Sequence, residues 1–199
     1  MPHLDYWFDF SSPFAYLGST QIEAVATKAG ATLAWRPMFL GGLFKAINTP
    51  QVPLLQQSAQ KQQYYAKDLL RHASWYGVPF SWPSRFPVMT VRPLRLVHLL
   101  SDPGPYIHRV FAAYWAEDKD IGDAAVLADL CREVDIDPAL IERTNEQAVK
   151  EQLTSSTDEA VKLGVFGAPT SVVDGQIFWG QDRLHFVEKA LSGWNPLPR

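Results

Sequence analysis

The sequence predicts an α/β fold in which a βαβ start and a ββα finish enclose a long, all-helical insertion. Three observations carry that expectation. The first ten residues hold Tyr6, Trp7, Phe8 and Phe10, a β-prone apolar run, and a helix-start signal follows directly. The middle of the chain shows helical periodicity. The end returns to β character on either side of Asp174-Gly175, a dipeptide that favours a tight hairpin. The boundaries follow these changes of character: residues 1–40 and 160–199 form the mixed domain, and residues 41–159 form the helical insertion.

Taken in order, the opening run suits a buried parallel strand. Ser12 and Pro13 then supply a hydroxyl N-cap and a proline at the first helical position. The helix should run through Ala15, Leu17, Ile22 and Val25 to about Lys28, with Gly30 ending it. A short strand follows from Thr32 to Pro37. Strand, helix, strand with no hairpin turn is a βαβ unit with parallel strands and a right-handed crossover. Gly41-Gly42 and the loop AINTPQVP lead into the insertion. There, Leu54–Tyr76 carries Tyr65, Leu69, Ala73 and Tyr76 at helical spacing. Pro79, Pro83 and Pro87 break the chain into an irregular segment. Further helices are expected across Val91–Leu100, Tyr106–Trp115, Asp123–Val134 and Pro138–Asn145, with a last one over Thr157–Leu163 capped by Gly164. Strands at Thr170–Asp174 and Gln176–Trp179 precede a closing helix, Asp182–Leu191, that turns Leu184, Val187, Ala190 and Leu191 inward.

Composition removes several functional classes. Of 199 residues, 47% are apolar, ample for a packed interior and contrary to extended disorder. Net charge is −3 and no basic block is present to follow a phosphate backbone, which argues against nucleic acid. No apolar stretch is long enough to span a bilayer. The opening MPHLDYWFDF lacks a basic n-region and does not read as a signal peptide, so a cytoplasmic location is the default expectation. The single cysteine, Cys131, excludes an internal disulfide and a CxxC pair; Leu127, Leu130 and Val134 around it mark a buried helix face and an inert thiol. The five histidines lack the short spacings of zinc ligands, so no metal site is expected.

Three segments could carry chemistry. Asp9-Phe10-Ser11-Ser12-Pro13-Phe14 passes from a strand end into a helix N-terminus, where unpaired N–H groups and the helix dipole favour a thiolate or other anion. Ser12 could donate to that anion, although Ser-Pro is equally an ordinary capping pair. In Gly164-Val165-Phe166-Gly167-Ala168-Pro169-Thr170, a proline before a strand marks either a plain loop or a cis bond offering the Ala168 backbone to an extended peptide. In Phe178-Trp179-Gly180-Gln181-Asp182-Arg183, Gln181 or Asp182 opens a helix; either could cap it, and Asp182 could instead hold a ligand ammonium group.

The order and spacing of these segments resemble one family. DFSSPFAYL, KAINTP, and GVFGAPT followed by FWGQDRLHFVEKAL are similar to the 2-hydroxychromene-2-carboxylate isomerases, in the group that also holds kappa-class glutathione transferases and DsbA oxidoreductases. The resemblance covers almost the whole chain and implies a thioredoxin-like fold of the DsbA and kappa type. It implies glutathione as cofactor. Ser12 stands at the first cysteine of a CPxC motif, as donor to the glutathione sulfur, and Ala15 stands at the second, so dithiol chemistry is excluded. Ser11 is given no catalytic role. The resemblance further assigns glutathione contacts to Asn48, Ala168, cis Pro169, Trp179, Gly180, Gln181 and Asp182, with the last two at the γ-glutamyl end. Lys45 is assigned to an anionic carboxylate of substrate or of glutathione. The implied activity is isomerisation of a small aromatic 2-oxo or 2-hydroxy acid by reversible thiolate addition, in aromatic catabolism. The alternatives are a kappa-type transferase or peroxidase and a non-catalytic glutathione- or peptide-binding relative of DsbA. A homodimer is compatible with the family. Trp75, Tyr76, Trp82 and Phe86 of the insertion are candidates for the aromatic side of the pocket.

Overall fold

In the computed structural model, which describes residues 1–196, the expected strands assemble into one four-stranded sheet of order β2-β1-β3-β4. The last three residues of the expected 160–199 segment lie outside the described residues. β1 (His3–Phe8) pairs in parallel with β2 (Thr32–Pro37), with Tyr6 opposite Trp35. On its other side β1 runs antiparallel to β3 (Thr170–Val173), which turns back into β4 (Gln176–Trp179). β1 is thus an inner strand, which is why Tyr6, Trp7 and Phe8 are buried on both faces. Asp174 and Gly175 both have positive φ, 48° and 76°, the conformation that a two-residue hairpin with right-handed strand twist requires.

α1 (Pro13–Lys28) begins as expected: the Ser12 side chain accepts from the Ala15 N–H at 3.1 Å, and Pro13 occupies the first helical position, where a missing N–H costs nothing. Glycine is needed at position 18. A Cβ there would stand 2.4 Å from the Tyr6 hydroxyl oxygen, 3.3 Å from Gln181 Cβ and 3.4 Å from Pro169 Cγ. This close approach seats the helix against β1 and against the two loops that carry Pro169 and Gln181.

Between β2 and β3 lie α2 (Leu40–Ala46), a 3-10 turn (Pro53–Gln56), α3 (Ala59–Tyr76), α4 (Val91–Val97), α5 (Gly104–Trp115), α6 (Ala124–Glu133), α7 (Leu140–Arg143) and α8 (Gln147–Lys162), the last running across the expected boundary at 159/160. Two departures from expectation have tertiary causes. α2 forms across Gly41-Gly42, where propensity argues against a helix, because its first N–H groups are held from afar: Phe39 N–H by Thr157 Oγ1 at 3.0 Å and Leu40 N–H by Asp9 Oδ2 at 2.8 Å. The Phe39 ring folds over Gly41, where a Cβ would meet it at 2.6 Å. α8 starts well before Thr157, since Val149, Leu153, Thr157 and Ala160 make one buried stripe, narrow and set in an otherwise polar stretch. α3 starts later than Leu54, at a Ser58 cap, and ends at Gly77 with φ 68°.

One core runs through the molecule. Phe8, Phe10 and Phe111 pack with ring centroids 4.9–5.8 Å apart, and Trp115 of α5 donates its Nε1–H to the Phe10 carbonyl at 2.8 Å. That bond anchors the insertion to the turn between β1 and α1. Cys131 is buried on the inner face of α6, and burial pushes its thiol up to about 11. The Phe86–Pro87 and Ala168–Pro169 bonds are cis. No helix among the described residues is long and apolar enough to cross a membrane. After β4, a 3-10 turn (Gln181–Arg183) leads into α9 (Leu184–Leu191), which buries Val187, Ala190 and Leu191.

Candidate active site at the N-terminus of the first helix

The turn after β1 places Ser12 at the mouth of α1, buried, with its hydroxyl shared between two segments far apart in sequence. The oxygen accepts from Ala15 N–H, and the hydroxyl donates to the Ala168 carbonyl at 2.9 Å. The capping reading of Ser12 is therefore met, and the same atom also ties α1 to the loop before β3. Proline removes one N–H from the first turn and Ser12 satisfies another. The Phe14 N–H is left with no acceptor among the described residues, at the positive end of the helix.

In front of this helix end lies a cavity of about 720 Å³. Ser12, Ala168, Trp179, Gly180, Gln181 and Asp182 all line it, so residues from both ends of the chain meet there. Pro169 lies directly behind that wall, and its carbonyl accepts from Gly180 N–H at 2.9 Å, joining the loop before β3 to the end of β4. Gly180 has φ 107°, a conformation restricted to glycine in practice, and a Cβ would fall 2.6 Å from Asp182 Oδ1. Gln181 is buried, and its carbonyl accepts from the Tyr76 hydroxyl at 3.4 Å, bringing the end of α3 to this corner. Asp182 is exposed to the cavity mouth and paired with Arg183.

Lys45 and Asn48 are placed differently. Both are exposed at the end of α2, and neither lines the cavity; their neighbours Phe44, Thr49 and Gln51 do. Asn48 takes a positive φ of 54°, which its short amide side chain tolerates better than most residues. Of the four insertion aromatics, only Phe86 lines the cavity. Trp75 projects from α3 into solvent, Trp82 packs on Phe86 and Trp115, and Tyr76 reaches Gln181 from behind. The apolar wall is built instead from Phe14, Phe39, Phe44, Tyr65, Val88 and Met89, faced by the half-exposed pair Phe166 and Trp179 with centroids 5.1 Å apart.

The sequence reading gave no role to one further lining residue, Asp9. It is fully buried, and burial pushes its carboxyl up from the usual carboxylate range, against the opposing pull of hydrogen bonds from Ser11 and Leu40 and of the Thr90 side chain. Ser11, also without an assigned role, lines the cavity and spends both its N–H and its hydroxyl on Asp9 Oδ1, each at 2.9 Å. Among the described residues no three His, Cys, Asp or Glu side chains gather into a group that could hold a metal ion.

A mixed four-stranded sheet carrying a helical insertion, with a capped first helix facing a proline loop, defines a class. The chain belongs to the family described as the DSBA-like thioredoxin domain, whose family model matches residues 3–192. Within it the chain is 30% identical to the 2-hydroxychromene-2-carboxylate isomerase of Sphingobium xenophagum, over 94% of this chain and 97% of that one. It is 29% identical to glutathione S-transferase kappa 2 of Caenorhabditis elegans, over 94% and 90% respectively. A solved structure of a selenomethionine 2-hydroxychromene-2-carboxylate isomerase superposes with a TM-score of 0.85 at 27% identity, covering 96% of this chain and 95% of that one. The thioredoxin-like fold and the family resemblance read from the sequence are both borne out, and an enzyme of isomerase type is what these relatives support.

Proposed function

We propose that this chain is a glutathione-dependent isomerase of the 2-hydroxychromene-2-carboxylate type, acting on a small aromatic 2-oxo or 2-hydroxy acid. One observation carries the reading: Ser12, at the open N-terminus of α1, lines the same cavity as Ala168 and the run Trp179–Asp182. Those residues fit a tripeptide thiol. The Phe14 N–H and the helix dipole can receive an anion, Ala168 has an unpaired N–H among the described residues, and Asp182 offers a carboxylate to an ammonium group. When bound, glutathione supplies a thiolate that adds reversibly to the conjugated carbon of the substrate and departs unchanged.

The protein's part is to hold that sulfur anionic. An ordinary thiol has a pKa of about 8.5, and lowering it by about two units takes roughly 2.7 kcal/mol of anion stabilisation. The Ser12 hydroxyl turns its proton from the Ala168 carbonyl toward the sulfur, and the Phe14 N–H gives a second donor. Gln181 and Asp182 hold the γ-glutamyl end, and the Ala168 N–H pairs with the cysteinyl carbonyl. Lys45 and Asn48 act from the rim, Lys45 by attracting a carboxylate toward the mouth. The apolar wall from Phe39 to Phe44 and from Phe86 to Met89 takes the substrate ring and excludes water from it.

The test is isomerisation of 2-hydroxychromene-2-carboxylate, followed optically with and without glutathione. Turnover that needs glutathione and leaves its concentration constant is the expected result. Steady consumption of the thiol with an aromatic electrophile, and no isomerisation, would identify a transferase instead. Saturable binding without any product would leave only a glutathione-binding protein.

A further inference from the structure

Three stretches of chain wall the cavity beside the sulfur site: residues 9–14, residues 39–44 and residues 86–90. They meet at one side chain. Asp9 Oδ1 accepts from the N–H and the hydroxyl of Ser11, while Oδ2 accepts from the N–H of Leu40 at 2.8 Å, and the Thr90 side chain stands near enough to the carboxylate to favour its charged form. Thr90 is buried too. Phe39, at the cap position of α2, contributes no side-chain cap, so Asp9 supplies, from just beyond the end of β1, the acceptor that the start of α2 lacks. A buried carboxylate is costly unless its lone pairs are filled. Here they are filled by the N–H and hydroxyl of Ser11 and the N–H of Leu40, with the buried Thr90 side chain beside them.

We propose that Asp9 is a positioning residue that sets the aromatic wall, residues 39–44 and 86–90, at a fixed distance from the N-terminus of α1. It acts through Leu40 and Thr90 rather than on the reacting atoms, and it governs binding of the aromatic partner more than binding of glutathione. This rests on the glutathione reading above for its kinetic consequence, but the placement of the wall is a property of the protein alone.

Asp9→Asn keeps size and shape but turns one oxygen into an N–H₂ group. Whichever way the amide is turned, a donor then faces the donors of Ser11 or that of Leu40. Three readouts separate the possibilities, with Thr90→Val as the milder companion should Asp9→Asn fold poorly. Amide exchange at Leu40 is expected to accelerate at least tenfold in Asp9→Asn. The dissociation constant of glutathione is expected to stay within about threefold, while that of S-benzylglutathione, whose ring must reach the wall, rises about tenfold. In turnover, the KM for the aromatic substrate should rise about tenfold, with that for glutathione within about threefold. Equal losses for glutathione and its benzyl conjugate, or unchanged Leu40 exchange in both folded variants, overturn the assignment. If the wild-type protein binds no glutathione, the functional reading fails, and Leu40 exchange in the two variants still decides the role of Asp9.

Discussion

Replacing Ser12 with Ala removes one oxygen that serves two buried partners and, in the proposed mechanism, a third. The cap to Ala15 N–H is worth about 1 kcal/mol to a helix of this kind. The bond to the Ala168 carbonyl adds about 1 kcal/mol; the low end of the range applies because that carbonyl lines the cavity and water can replace the hydroxyl. Ser12→Ala should therefore lose about 2 kcal/mol, lowering the urea midpoint by about 1 M for a slope near 2 kcal/mol/M. The catalytic effect has a separate sign and readout. Loss of a donor destabilises the anionic sulfur, so its pKa rises. A charge-assisted hydrogen bond of about 1.5–3 kcal/mol corresponds to about one to two pH units. The acid limb of the pH–rate profile for isomerisation should move up by that amount; for a bound thiol at about 6.5 the rate at pH 7 should fall about three- to twenty-five-fold, and about ten- to a hundredfold well below that pH. Urea unfolding by tryptophan fluorescence and rates between pH 5 and 9 measure the two effects. Ser12→Thr, which keeps the hydroxyl, should recover most of both. A variant as stable as wild type, with its pH limb unmoved, would show that the hydroxyl neither bridges the two segments nor holds the sulfur.

Other expected outcomes rest on the same geometry. Gly18→Ala drives a methyl group to 2.4 Å from the Tyr6 hydroxyl oxygen and against Gln181 and Pro169; thermal unfolding should show a loss of about 1–3 kcal/mol, with weaker glutathione binding by calorimetry. Cys131, buried with its thiol pushed up to about 11, should resist an aromatic disulfide reagent at pH 8 in the native protein and react fully once unfolded. Lys45→Ala removes a solvent-exposed charge outside the cavity wall, so the KM for an anionic substrate should rise by less than about threefold at physiological salt, and less still at high salt. A tenfold rise would mean that Lys45 contacts the substrate directly.

Much of this architecture is written in local sequence, because the signals concerned act over a few residues. Ser12-Pro13 starts α1, Gly77 ends α3, and Asp174-Gly175 turns β3 into β4, each through backbone preferences that neighbouring residues do not alter. The inner-strand character of β1 was likewise legible, since only a strand covered on both faces can carry Tyr6, Trp7 and Phe8 in succession. The segments that carry the family resemblance, DFSSPFAYL, KAINTP, GVFGAPT and FWGQDRLHFVEKAL, are likewise read from the linear sequence.

What could not be read there depends on partners distant along the chain. α2 contains two glycines and forms because Asp9 and Thr157, one before it and one far beyond, accept its first N–H groups. The aromatic wall could not be assigned from composition, because burial in the core and exposure to a cavity use the same residues; Phe86 lines the site while Trp75 faces solvent. Asp9 is the clearest case. In sequence it is one acid among many at a strand end, and only packing turns it into the junction of three walls. Local sequence determined which elements form and where the helix end that faces the cavity lies. Tertiary structure decided which side chains surround it, because hydrogen bonds and van der Waals contacts act over ångströms in space rather than over positions along the chain.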